Sequence, residues 1–310
     1  MSMRIGILGP AGTFSENAAM LWMRESIKDE TCEIKYYDTI FDVSDGLLRQ
    51  DVDYAILPLE NSLEGSVGET LDILSGENVD VQIVGEILVP IQICLMAKQN
   101  LSFKEKALPG EHAFSSLEEV SQALARAGIR KIVSHPHALA QCKRFLREQC
   151  RGMELKTVDS TAGAAKLAAQ SEEIAALASE AAADKYRLNI IAEGVQDRDS
   201  VTRFVVLSSS GIKTAPTGKD KTSILLYLKE NSPGALYEIL GEFALRGINM
   251  TKIESRPSKK AMGDYMFHID CEGHIDEDKM KEALRGIKRK VAILKTLGSY
   301  PMAIVICPGL

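Results

Sequence analysis

Short apolar runs alternate with longer segments of helical spacing along the first two hundred residues. Runs rich in β-branched and aliphatic residues predict strands at Arg4 to Leu8, Glu33 to Tyr37, Tyr54 to Pro58, Val81 to Val89, Ile91 to Ala97, Ile132 to Ser134, Leu155 to Val158, Ile174 to Ala178 and Phe204 to Leu207. Apolar residues three and four apart predict helices at Glu16 to Lys28, Ile40 to Gln50, Gly65 to Leu74, Ser116 to Ala127, Ala138 to Gln149, Ala162 to Gln170 and Glu180 to Tyr186. This alternation implies parallel-rich α/β sheets covered on both faces. Two lobes fit better than one growing core, because Pro90 interrupts a long double strand that can cross between sheets. Lobe 1 is expected over about 1–85 plus 188–208 and lobe 2 over about 86–187, with a cleft between them. Pro90 also places its strand at an edge or divides it between two strands.

Residues 209–221, with serine, glycine and Pro216, read as a linker. Beyond it the order is strand Thr222 to Leu228, helix Ala235 to Arg246, strands Met250 to Ser255 and Asp264 to Asp270, helix Asp276 to Lys288 and strand Val291 to Ser299. That β-α-β-β-α-β order over 222–300 predicts a ferredoxin-like α+β domain, followed by a tail at 301–310. Its helices cover one face of the sheet. The free face is expected to be solvated or paired with another subunit, and the apolar strand Ser223 to Leu228 favours pairing.

Composition narrows the function. A net charge of -6, with 37 Lys and Arg forming no long stripe, argues against a nucleic-acid partner. No apolar run is clean enough to cross a bilayer, and no signal peptide is legible at Met1. The six cysteines are scattered, so reduced thiols and a cytoplasmic location are expected.

The chemistry gathers where strands end. Gln196 to Ser200 is polar and leads through Val201-Thr202-Arg203 into an apolar strand, so Thr202 offers a proton and Arg203 a fixed positive charge. Gly9-Pro10-Ala11-Gly12-Thr13-Phe14-Ser15-Glu16 opens a helix after the first strand, with free amides that favour an anion and hydroxyls at Thr13 and Ser15. In Pro58-Leu59-Glu60-Asn61-Ser62, Pro58 is expected to end the strand, Asn61 to donate and accept, and Ser62 to cap the next helix. Glu60 reads as a loop-organising acceptor. Ser134-His135-Pro136-His137 begins another helix; no third ligand supports a metal there, and Gln141 lies one turn from His137 on the same face. Cys142 reads equally as a nucleophile or an apolar neighbour. Ser160 or Thr161 caps an alanine-rich helix, a second anion-receptive helix start.

Taken in order, Gly9 to Glu16, Pro58 to Ser62, Ser134 to Pro136, Ser160 to Ala162 and Thr202-Arg203-Phe204 resemble the prephenate dehydratase family. In the tail, Pro233-Gly234-Ala235-Leu236 and Ile253-Glu254-Ser255-Arg256-Pro257 look like the phenylalanine-sensing motifs of its ACT domain. The resemblance is to the form with no fused chorismate mutase. It implies a two-lobed catalytic region like a type II periplasmic binding protein, with the substrate between the lobes. It further implies decarboxylating dehydration of prephenate to phenylpyruvate without cofactor or metal. The family's catalytic threonine falls on Thr202, with Arg203 beside it and the cleft amides on Asn61 and Gln141. Thr13, Ser15, Ser62, Ser160, Thr161 and His137 are expected to bind the rest of the substrate. Phenylalanine is expected at Pro233, Gly234, Ala235, Leu236, Asn249, Glu254, Ser255 and Arg256, between paired domains of a homodimer or homotetramer. The family usually shows glutamine where His137 stands and asparagine where Ser200 stands. Arogenate is the alternative substrate, and a non-catalytic anion sensor the alternative function.

Overall fold

A computed structural model describes residues 2–26, 31–76, 80–98, 117–209, 211–230, 232–257 and 265–303. The expected boundaries at Lys28, Ser116 and Asp264, and Cys307, lie outside them. Elements are numbered in chain order. The first sheet has β1 (Met3–Leu8), β2 (Cys32–Tyr37), β3 (Tyr54–Asn61), β5 (Val81–Ile91) and β11 (Ser200–Ser209), in the order β2-β1-β3-β11-β5, with β4 (Gly65–Ser66) hairpinned to β3. Helices α1 (Phe14–Ser26), α2 (Ile40–Leu48) and α3 (Gly68–Ser75) accompany it. The second sheet runs β10-β6-β9-β7-β8, from β6 (Cys94–Lys98), β7 (Lys131–Ser134), β8 (Glu154–Thr157), β9 (Ile174–Ala178) and β10 (Leu188–Ala192). Its helices are α4 (Leu117–Arg126), α5 (Pro136–Gln141), α6 (Lys143–Gln149), α7 (Thr161–Gln170) and α8 (Glu180–Tyr186).

Local sequence sets these elements. Thr39, Ser160 and Ser179 each accept a backbone N–H of the first turn at α2, α7 and α8. The single helix expected from Ala138 to Gln149 is two, because Cys142 breaks the helical backbone between α5 and α6. The lobes also divide differently. Residues 188–192 pair with β6 and so belong to the second sheet, while β5 stays in the first sheet through Ile91, at its edge. Pro90 is tolerated there because an edge strand needs no second ladder partner.

Two strands run longer than their apolar cores. Pro58 does not end β3; the strand continues to Asn61, and a register shift between Arg203 and Phe204 opposite Glu60 and Pro58 absorbs the missing N–H. β11 begins at Ser200, so Thr202 and Arg203 lie within the sheet, between β3 and β5, and not in a loop.

The third sheet, β13-β14-β12-β15, is antiparallel throughout: β12 (Asp220–Leu228), β13 (Met250–Pro257), β14 (Tyr265–Glu272) and β15 (Val291–Pro301). Helices α9 (Ala235–Ala244) and α10 (Asp278–Lys290) cover one face over Ile224 and Leu226. The other face needs no second subunit. Leu225, Met266, Leu297 and Tyr300 share one core with Leu57, Val205, Leu207, Leu71 and Leu74 of the first lobe. Leu225 and Leu297 are each 2% exposed, so each contributes roughly 1.5–3 kcal/mol to this docking. Gly298 brings β15 against β5, since a Cβ there would stand 2.1 Å from the Ile83 carbonyl oxygen.

Candidate active site

Asn61 ends β3 directly opposite Thr202 on β11. Its Nδ2 donates to Thr202 Oγ1 at 2.9 Å. Its Oδ1 accepts the Leu63 and Glu64 amides at 2.9 and 3.1 Å, which closes the turn after β3 and fixes the orientation of the amide. Because Thr202 oxygen accepts from Asn61, the threonine proton is free for another acceptor. Ser62 extends the ladder: its N–H donates to the Val201 carbonyl and its Oγ accepts the Val201 N–H at 3.0 Å. It does not cap a helix.

The same hairpin reaches the second lobe. Gln141 Nε2 donates to Glu64 Oε1 at 2.9 Å, and His137 Nδ1 meets the other oxygen of that carboxylate. The Gln141 carbonyl accepts the Asp197 N–H, and the Asp197 carboxylate accepts the Arg144 N–H at 2.9 Å. Thus the acidic loop after β10 caps α6. Asn61, Thr202, Gln141 and His137 therefore share one connected group, joined by Glu64, a residue the sequence reading did not single out.

Arg203 turns the other way. Side chains alternate across a strand, so Thr202 and Arg203 occupy opposite faces. Arg203 is 7% exposed and donates to Glu86 through Nε at 2.6 Å, to Asp270 through Nη1 at 2.6 Å and to Tyr300 Oη through Nη2 at 2.8 Å. Lys221 donates to the same Glu86 at 2.8 Å, and Ser223 to Asp270 at 2.5 Å. Burial disfavours the guanidinium charge, yet Tyr300, Asp270 and Glu86 more than restore it and raise its pKa. Burial likewise pushes the Asp270 carboxyl up, and Arg203, Ser223 and Lys221 bring it below its ordinary value. Arg203 is thus an internal partner of acids, not a ligand lying beside Thr202. Glu60, opposite Arg203, is paired with Lys252 at 3.3 Å and lies 3.8 Å from Arg203. This satisfies the carboxylate from behind the site.

Other expected residues have local partners. Thr13 and Ser15 are buried, and Thr13 Oγ1 donates to the Leu8 carbonyl. The Gly12 amide is taken by the carboxylate of Glu16, which also accepts from Tyr36. The Gly12 and Ala11 carbonyls accept from Ser179 and Tyr186, so this loop joins the lobes. Ser160 caps α7 by accepting the Gly163 N–H, and Thr161 is the first helical residue. His135 caps α5, and burial lowers its pKa. Burial raises the Cys142 thiol far above its ordinary value, which makes a nucleophilic thiolate unfavourable. Ser200 is buried with its hydroxyl unpartnered. Among the described residues no group of three or more His, Cys, Asp or Glu could hold a metal ion.

In the third sheet, Gly234 caps α9 with φ of 87°, and Pro233, Gly234 and Ser255 are exposed. Asn249 donates to Glu272 at 3.0 Å. Glu254 and Arg256 point at the first lobe instead: Glu254 accepts from Ser66 at 3.1 Å, and Arg256 donates to Asp72 at 2.6 Å. A depression of roughly 300 Å³ elsewhere, lined by Asp38, Asp42, Asp45, Asp51 and Arg49, is too acidic for an anionic ligand.

With this geometry, residues 5–211 match the prephenate dehydratase family and residues 222–289 match the ACT domain. The chain belongs to the prephenate dehydratase family. It is 40% identical over 303 residues to a bifunctional chorismate mutase/prephenate dehydratase of Aquifex aeolicus, covering 97% of this chain and 74% of that protein. It is 37% identical over 311 residues to arogenate dehydratase/prephenate dehydratase 2, chloroplastic, of Arabidopsis thaliana, covering 96% and 73%. The crystal structure of prephenate dehydratase from Arthrobacter aurescens in complex with L-Phe has a TM-score of 0.79 and 34% identity, covering 96% of this chain and 90% of that one. The family match ends at 211 and the ACT match begins at 222; the expected linker at 209–221 is shorter at both ends, since Ser209 closes β11 and Asp220 and Lys221 open β12.

Proposed function

We infer that this chain converts prephenate to phenylpyruvate, carbon dioxide and water in phenylalanine biosynthesis, and that phenylalanine regulates it through the ACT domain. The observation that carries this is the hydrogen bond from Asn61 to Thr202, inside the family-matched region. It leaves the threonine proton aimed at an acceptor other than Asn61. In the reaction the bond between ring and carboxylate carbon breaks, its electrons enter the ring, and the ring hydroxyl departs, taking up one proton that comes ultimately from solvent to leave as water. Aromatisation supplies the driving force. The protein's task is alignment and a hydrogen bond that strengthens as the hydroxyl leaves.

Thr202 donates that hydrogen bond, since an alcohol hydroxyl is too weak an acid to transfer its proton fully. Asn61 holds it in place. Gln141 and His137 are the donors from the second lobe suited to a substrate carboxylate. Arg203 acts from the opposite face as a positioning residue. Ser62, Thr13, Ser15, Ser160 and Thr161 shape the surrounding backbone. Phenylalanine is proposed to bind at the start of α9 and the outer face of β13, around Pro233 to Leu236, Asn249 and Ser255.

A homodimer or homotetramer is proposed because Tyr237 and Leu245 of the α9 region are 79% and 85% exposed. A cytoplasmic location is proposed from the five described cysteines, all of them free; no helix among the described residues is long and apolar enough to cross a membrane. Turnover of prephenate and arogenate, side by side and with added phenylalanine, tests the reading. Prephenate consumption suppressed by phenylalanine is expected. Binding of prephenate without turnover would instead make the chain a sensor.

A further inference from the structure

β13 alternates strictly in exposure. Thr251, Ile253, Ser255 and Pro257 face out, while Lys252, Glu254 and Arg256 face the first lobe. All three inward side chains grip one stretch of that lobe. Lys252 Nζ lies 3.3 Å from the Glu60 carboxylate and donates to Ser66 Oγ at 2.6 Å. Ser66 donates in turn to Glu254, and Arg256 holds Asp72.

Glu60 and Ser66 are directly paired across the β3–β4 hairpin, and Asn61 pairs with Gly65. Lys252 therefore bridges the base of the hairpin whose next residue holds Thr202 and whose tip carries Glu64 to the second lobe. The Lys252 side chain is only 7% exposed, so its charge depends on Glu60 and Ser66 for compensation. A strand is stiff and its faces alternate residue by residue, so a ligand that shifts the outward side chains must shift Lys252 with them. Displacing a positioned catalytic group by about an ångström costs on the order of a hundredfold in rate.

We propose that Lys252 is a positioning residue for the dehydration: through Glu60 and Ser66 it sets the Asn61–Thr202 pair, and it carries ACT-domain ligand occupancy to the site. This rests on the dehydratase reading. It also differs from a phenylalanine contact, because Lys252 faces the catalytic region.

The test compares wild type, Lys252→Met, Lys252→Arg and Glu60→Gln for prephenate kcat and KM, with and without phenylalanine. Hydrogen exchange of the amides of residues 60–66 is measured alongside. Lys252→Met is expected to lower kcat about tenfold with KM within about twofold, blunt the phenylalanine response and speed exchange at 60–66 but not in β1. Lys252→Arg, which keeps the charge, recovers most of kcat. Should Lys252→Met fail to fold, Glu60→Gln carries the same expectation. Unchanged kcat and exchange, or a loss that appears only in KM, overturns the proposal. If wild type does not turn over prephenate, the functional reading fails, while the exchange of 60–66 still decides the linkage.

Discussion

Thr202 and Arg203 are neighbours in the chain and opposites in the fold: the Thr202 hydroxyl meets Asn61, and the Arg203 guanidinium enters a buried cluster with Glu86, Asp270 and Tyr300. One strand thus carries the proposed hydrogen-bond donor to the substrate on one face and serves the ACT docking surface on the other. The cluster balances two cations, Arg203 and Lys221, against two carboxylates, Glu86 and Asp270.

Removing Arg203 leaves that balance broken. Arg203→Met is expected to destabilise the protein by about 3–5 kcal/mol, because two buried carboxylates then share one lysine. Urea denaturation measures it, and Arg203→Lys is expected to be intermediate, since one ammonium cannot reproduce the three-way fork. A variant within about 0.5 kcal/mol of wild type would show that the cluster is not a stabilising unit.

Asn61 does two jobs that substitution can separate. Asn61→Asp keeps the oxygen that accepts the Leu63 and Glu64 amides but loses the donor to Thr202. Its kcat is expected to fall about a hundredfold with fold stability nearly unchanged, and Thr202→Ala to fall at least as far, with Thr202→Ser keeping more. Steady-state kinetics with parallel melting curves would falsify this if Asn61→Asp stayed fully active.

His268 makes the docking of the two units sensitive to acid. It is 3% exposed, its Nε2 meets Ser75 Oγ at 2.8 Å and its Nδ1 has no partner. Burial pushes its pKa down to about 4, whereas the unfolded chain takes up the proton near 6.5. Its neutral state therefore contributes full stability above pH 6.5, which is lost as pH falls through 4. The loss over that window is about 3 kcal/mol. Unfolding free energies at pH 7 and pH 4 should differ less in His268→Gln than in wild type.

Gly298→Ala tests the packing of β15 on β5. The added methyl carbon meets a backbone oxygen that cannot rotate away, so the strands must separate. A loss of about 1–3 kcal/mol and a weaker phenylalanine response are expected, measured by thermal melting and inhibition curves. Unaltered values would mean that the contact relaxes freely.

Much of the architecture was written in periodicity. The alternating strands and helices, the β-α-β-β-α-β tail and the edge position of Pro90 follow from local rules of spacing, capping and backbone geometry. The order of polar motifs likewise picked out Asn61, Gln141 and Thr202, which the fold brings into one hydrogen-bonded group through Glu64. What the sequence could not reveal is direction. Whether β11 starts at Ser200 or Phe204 decides which face Arg203 occupies, and polar residues can extend a strand when partners on both sides satisfy them. The occupants of the free face of the ACT sheet, the role of Glu64 as a bridge and the grip of Lys252 on Glu60 all join residues far apart in the chain. Such contacts depend on how separately folded layers dock, and only their packing together could decide them.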